Sequence, residues 1–150
     1  MKKILLFLSL VAMSCSTDSE EGNLMENDPI VGDWEIIESG GALSSGETFV
    51  DTDPCSNTQK HSFYPDGTFD SEIWWGDSDT CAFDQIRTGE WFNSPSNVNP
   101  KANYRLVYHQ IPSDDEEVGF PEITFSGNTM RIEYDHDSTF DYTYRTYQKQ

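Results

Sequence analysis

The residues that could do chemistry are few in kind and heavily biased in charge. Across 150 residues the sequence carries three histidines, three cysteines, and 27 aspartates and glutamates against only 9 lysines and arginines. His61, His109 and His136 have no nucleophile or ligand partner at a spacing that suggests acid–base or metal chemistry. They are expected at the surface or rim. Glu72 with Glu90 or with Asp70 would form the kind of carboxylate pair that cleaves glycosidic bonds, but so acidic a chain makes such pairs by chance. Asp77-x-Asp79 and Asp135-x-Asp137 offer oxygen ligands to Ca²⁺, yet lack the full cage and terminal Glu of an EF-hand loop. They read as solvated loop acids, and Asp114-Asp115-Glu116-Glu117 as an exposed, self-repelling loop that is at most a contact for a basic partner. No catalytic residue, cofactor or metal is expected, so the protein is read as non-enzymatic. A formal charge of -18 and a pI near 4.1 repel phosphate backbones, which excludes nucleic-acid binding.

The cysteines divide by position. Lys2 and Lys3 precede the apolar run 4–11, and Ala12-Met13-Ser14 lead to Cys15. This is the pattern of a signal peptide, too short to span a bilayer. A Cys placed directly after such a run and a small residue resembles the lipobox of bacterial lipoproteins. That resemblance implies removal of residues 1–14 and lipidation of Cys15 as the mature N-terminus; the alternative is an ordinary signal peptide cleaved nearby. Ser16-Thr17-Asp18-Ser19-Glu20-Glu21 resembles the acidic signal by which one large gram-negative phylum moves lipoproteins to the cell surface. The expected partner is thus a membrane, reached through the lipid, and the expected address is the bacterial envelope, on the outer membrane. With Cys15 so assigned, Cys55 and Cys81 form an even pair in an exported chain and read as a disulfide. Counted outward from Asp66-Gly67, they fall on opposite arms of a hairpin. A redox or metal-ligating role would need a CxxC spacing or a His at ligand spacing, and neither is present.

The elements that must carry these residues are strands. After Cys15 there are 19 Phe, Trp and Tyr residues against 16 Ile, Leu and Val, with Leu only at 24, 43 and 106 and Ala only at 42, 82 and 102. Aromatic and β-branched enrichment without helical periodicity gives an all-β domain. Residues 15–29 are polar and acidic and suit a tether, and the domain occupies 30–150. Strands are predicted at 31–38, 47–51, 58–64, 68–75, 85–92, 104–110, 122–125, 129–134 and 139–148. Tyr64-Pro65-Asp66-Gly67-Thr68, Ser126-Gly127-Asn128 and 134–138 are the reversals. Alternation points Phe69, Ser71, Ile73 and Trp75 inward, likewise Met130, Ile132 and Tyr134, and likewise Phe140, Tyr142 and Tyr144. A sheet with one dry face and no helix to cover it must pack on a second sheet or close on itself, and eight or nine successive strands make closure plausible.

Gly32-Asp33-Trp34, Phe63-Tyr64-Pro65-Asp66-Gly67-Thr68-Phe69 flanked by the two cysteines, Gly89-Glu90-Trp91, and Tyr142-Thr143-Tyr144-Arg145 together resemble the lipocalin-like domains of bacterial surface lipoproteins. The resemblance implies a single antiparallel up-and-down β-barrel of about eight strands, plugged near Trp34, with a mouth that admits a small apolar or amphipathic ligand. It also implies that Arg145 lies over the Trp34 ring as a cation–π contact. Trp75, Trp91, Tyr104, Tyr108, Phe125 and Tyr142 are the candidate ligand-lining residues. The alternative is an interaction or accessory protein of the envelope, its barrel filled by those same rings.

Overall fold

A computed structural model describes residues 25–77, 80–95, 100–109, 116–135 and 140–150. The signal peptide, Cys15 and the surface-export segment lie outside the described residues, as do Asp79, Asp114, Asp115, His136 and Asp137. The described residues form ten strands: β1 (Gly32–Leu43), β2 (Thr48–Val50), β3 (Lys60–Phe63), β4 (Thr68–Asp77), β5 (Thr80–Asn93), β6 (Tyr104–His109), β7 (Glu116–Gly119), β8 (Glu122–Ser126), β9 (Thr129–Asp135) and β10 (Phe140–Lys149). A 3₁₀ turn, Ser56–Thr58, precedes β3.

All ten strands belong to one antiparallel sheet, curved as a half-barrel, in the order β7-β6-β5-β4-β3-β1-β10-β9-β8, with β2 beside β1. The all-β class and antiparallel meander are as the sequence predicts. Among the described residues the strands number ten where about eight are expected, and the backbone ladder does not run between the edge strands β7 and β8. The start of β6 instead meets the start of β8 through backbone and side chain together: the Asn103 and Tyr104 amides donate to the Pro121 carbonyl at 3.3 and 3.5 Å. Asn103 Nδ2 donates to the Ile123 carbonyl and its Oδ1 accepts from the Ile123 amide, both at 2.7 Å. A carboxamide thereby does for one residue pair what a neighbouring peptide group does along a ladder.

Local chemistry sets the reversals. At the β3–β4 turn Gly67 takes φ +87°, a conformation in which a side chain would be strained. Asp66 then accepts from the Thr68 amide at 3.0 Å and its hydroxyl at 2.7 Å, and those bonds hold its carboxyl below the usual range. Strand β7 was not anticipated. The acidic pair Glu116-Glu117 lies in it because β5 and β6 supply polar partners and an apolar neighbour: Val118 pairs with Val107 of β6, Arg87 of β5 meets Glu117 at 2.6 Å and His109 of β6 faces Glu116 at 3.9 Å.

The core fills one end of the curved sheet. Trp34, Phe63, Phe69, Trp91, Tyr104, Leu106, Ile123, Met130, Ile132 and Tyr147 are all buried there, and each large apolar side chain so placed contributes roughly 1.5–3 kcal/mol. Trp34 is 2 % exposed. Its Nε1 donates to the Ile30 carbonyl at 2.7 Å, and its ring meets Phe125 at 6.1 Å between centroids. The cation over it is Lys149, at 5.2 Å, and not Arg145. Lys149 reaches that position because its ammonium is also fixed by the Val31 carbonyl at 2.9 Å.

The expected faces of β10 are reversed, which explains where Arg145 goes. Tyr residues at 142, 144 and 147 cannot all obey one period of two, and burial is decided by Tyr147, 1 % exposed. Tyr144 therefore lies on the outer face, where the Arg131 guanidinium sits 3.6 Å over its ring and its hydroxyl donates to Glu38 at 2.8 Å. Gly40 opposite leaves the room: a Cβ there would come within 2.9 Å of the Tyr144 hydroxyl. Tyr142 shares this outer face, 6.5 Å from Tyr144, and Arg145 turns inward with Tyr147.

Candidate functional site

Beyond the packed end, the concave side of the sheet is open. A groove of about 950 Å³ runs there, walled by β1, β3 to β7, β9 and β10 with the chain around Phe49 and the 3₁₀ turn. Its walls carry Ile73, Trp75 and Phe49 as apolar groups and Ser71, His61, Arg87, Tyr108, Tyr134 and Arg145 as polar ones. Strand alternation delivers these side chains. On β4, Phe69, Ser71, Ile73 and Trp75 keep one face, but exposure climbs from 0 % at Phe69 to 67 % at Trp75. Trp75 is accordingly a rim residue and not part of the core, as its place at the sheet's open end dictates. Its Nε1 donates to Asp84 at 3.1 Å.

The polar base holds two groups of interacting side chains. Ser71 Oγ and the Tyr147 hydroxyl both lie within hydrogen-bond reach of His61 Nε2, at 3.1 and 3.4 Å. The Tyr108 and Tyr134 hydroxyls are 2.9 Å apart, and the Arg87 guanidinium sits 4.7 Å over the Tyr108 ring. Burial pushes the hydroxyls of Tyr108, Tyr134 and Tyr147 upward, so each remains a protonated donor at physiological pH. His61 is the correction to a surface placement: it is 2 % exposed, because alternation on β3 puts it on the same inward face as Phe63. Its Nδ1 has no partner among the described residues.

Burial, with Arg145 nearby as the second cause, draws His61 down to about 3 from 6.5. The folded state thus binds fewer protons than the unfolded one between those values, and stability is complete above pH 6.5 and lost as pH falls below it. The slope is about 1.4 kcal/mol per pH unit, or about 3 kcal/mol by pH 4.5. His61→Gln, which keeps a polar group without a titration, should remove that component. Urea denaturation of both proteins at pH 7.5, 6.5, 5.5 and 4.5 checks it; a wild-type-minus-variant difference that stays flat across the series counts against a neutral buried His61.

Of the six candidate ligand-lining residues, the groove brings together Trp75 and Tyr108. Trp91 and Tyr104 are in the packed end, their rings 6.3 Å apart, and Phe125 packs on Tyr104 at 6.4 Å. Tyr142 is outside. His61, Ser71, Tyr134, Arg87 and Arg145 were not singled out as wall residues. Polar groups in the dry phase of β3 and β4, His61 against Phe63 and Ser71 against Phe69, were the available signal. Cys55 and Cys81 are bonded to each other, with Cα atoms 5.2 Å apart, and the bridge holds the 3₁₀ turn against the start of β5. The carboxylates considered as a hydrolytic pair have separate partners on the outer face: Asp70 accepts from the Tyr64 hydroxyl at 3.0 Å and Glu72 from Trp74 Nε1 at 3.1 Å. Trp74 in turn packs edge-on against Phe83 at 5.6 Å. Among the described residues no three His, Cys, Asp or Glu side chains converge to hold a metal ion. Compared with known protein families, with curated proteins and with solved structures, the chain finds no match.

Proposed function

We propose that this chain is a lipocalin-like, non-enzymatic lipoprotein of the bacterial envelope, held to the outer membrane by a lipid on Cys15, that takes one small amphipathic molecule into its groove. The observation that carries the reading is the division of the concave face. One end is packed around Trp34 and Trp91, and the other leaves about 950 Å³ open, within the range of small-molecule sites, about 300–1,000 Å³. The packed end supplies a rigid floor. The rim supplies Trp75 and Phe49 for an apolar part, and the base supplies hydroxyls and guanidinium groups for a polar one.

Titration of the purified chain with an environment-sensitive amphipathic dye tests this. Saturable binding is expected, weakened about two- to tenfold by Trp75→Ala, the range of a single aromatic contact, while the fold persists because Trp75 is exposed. Absence of saturable binding by the wild type would transfer preference to the accessory-protein reading. That second reading has one feature in its favour, the half-exposed Phe83 and Ile86 on the outer face of β5.

A further inference from the structure

Among the described residues, the groove contains a charge that no ion pair balances. Arg145 is solvent-accessible along the groove, with the Tyr147, Tyr134 and Tyr108 hydroxyls near it. None of the ion pairs among the described residues includes Arg145. Two carboxylates line the same groove, and both are engaged elsewhere. Glu117 is held by Arg87 at 2.6 Å. Asp51 accepts from the Asp53 amide at 2.9 Å and faces the Ser39 hydroxyl at 3.4 Å. In a chain with 27 acids, a guanidinium that faces a concave wall with no carboxylate paired to it among the described residues is a vacant anion position. Its neighbours strengthen it: phenol hydroxyls that stay protonated can donate to an oxyanion alongside the guanidinium fork. His61 adds a second sign of an incomplete site, a 2 % exposed side chain on the same wall whose Nδ1 is unpartnered.

Resting on the binding-module reading, we propose that the groove's ligand is an amphipathic anion, its carboxylate or similar oxyanion seated on Arg145 and the surrounding tyrosine hydroxyls, its apolar part directed past Ile73 to Trp75. The protein's own negative charge does not oppose this at close range. Exposed outer carboxylates are screened within about 8 Å at physiological ionic strength, whereas the groove walls limit screening of Arg145.

The test compares dodecanoate with dodecanol, which share a chain and differ in the head group, by competition against a bound fluorescent amphipath. Wild type should bind dodecanoate about tenfold or more tightly than dodecanol, the range of a charge-assisted hydrogen bond. Arg145→Gln should abolish that preference while leaving dodecanol within about twofold, and the retained dodecanol binding certifies a folded groove. Arg145→Lys, which restores a positive charge without the fork, should recover part of the preference. Equal binding of the two probes by wild type, or an undiminished preference in Arg145→Gln, overturns the anion assignment and leaves the binding module standing. If wild type binds neither probe nor the fluorescent amphipath, both fall.

Discussion

Replacing Trp34 by alanine is expected to lower folding stability by about 3–5 kcal/mol, whereas the same change at Trp75 should cost less than about 1 kcal/mol. The two residues are chemically identical and differ in what surrounds them. Trp34 is 2 % exposed, hydrogen-bonded through Nε1 to Ile30, and covered by Phe125 and Lys149. Truncation leaves a cavity at the floor of the curved sheet and strands the Lys149 ammonium over it. Trp75 is 67 % exposed and already borders open space, so its removal deletes little packing. Parallel urea denaturation of the two variants measures both values. A Trp34→Ala cost below about 1.5 kcal/mol, or a Trp75→Ala cost above it, would contradict the division between packed floor and open groove.

Reduction of Cys55–Cys81 should have an effect of similar size. The bridge spans 26 residues, and the chain-entropy account assigns about 3.5 kcal/mol to a closure of that length. The loss is expected to be felt in the groove first, because Ser56 and Gln59, beside the bridge, form part of its wall. Reduced protein should therefore unfold at lower denaturant and bind an amphipathic dye less tightly even where it remains folded. Thiol titration of denatured, non-reduced protein provides the direct check: free thiols at Cys55 and Cys81 would refute the pairing, and equal midpoints for oxidised and reduced forms would refute its energetic role.

Much of the fold was legible because strand chemistry is repetitive. Excess aromatics, scarce Leu and Ala, and the Pro65-Asp66-Gly67 turn were enough to place nine of the ten strands and the class. The face of β10 was not legible, since Tyr142, Tyr144 and Tyr147 compete for one inward phase and only packing selects Tyr147. Irregularities hid the rest. In β1 a register shift between Ile36 and Glu38 leaves Ile37 55 % exposed, and in β4–β5 the shift beyond Ile73 breaks the alternation by which Thr80 to Asp84 would have been recognised as strand. The site was legible only in part for a related reason: aromatic residues were weighed as ligand contacts, yet the sheet uses Trp91, Tyr104 and Phe125 to fill one end. The groove's polar wall depends on His61, Ser71 and Arg145, which meet only after three separate strands have been paired.

The Asn103 bridge has a bearing on how copies of this protein live side by side. Because Asn103 holds Ile123 alone within β8, among the described residues no strand lies beside the outer edge of β7 or the rest of β8, and such edges are the template for strand addition between molecules. Both edges are acidic, with Glu116 and Glu117 on one and Glu122 on the other. On a membrane, where the proposed anchor would crowd the domains into two dimensions, this charge keeps neighbouring edges apart. Since the repulsion is electrostatic, raising the ionic strength shortens its reach and favours self-association, the opposite of the response of an assembly held together by salt bridges.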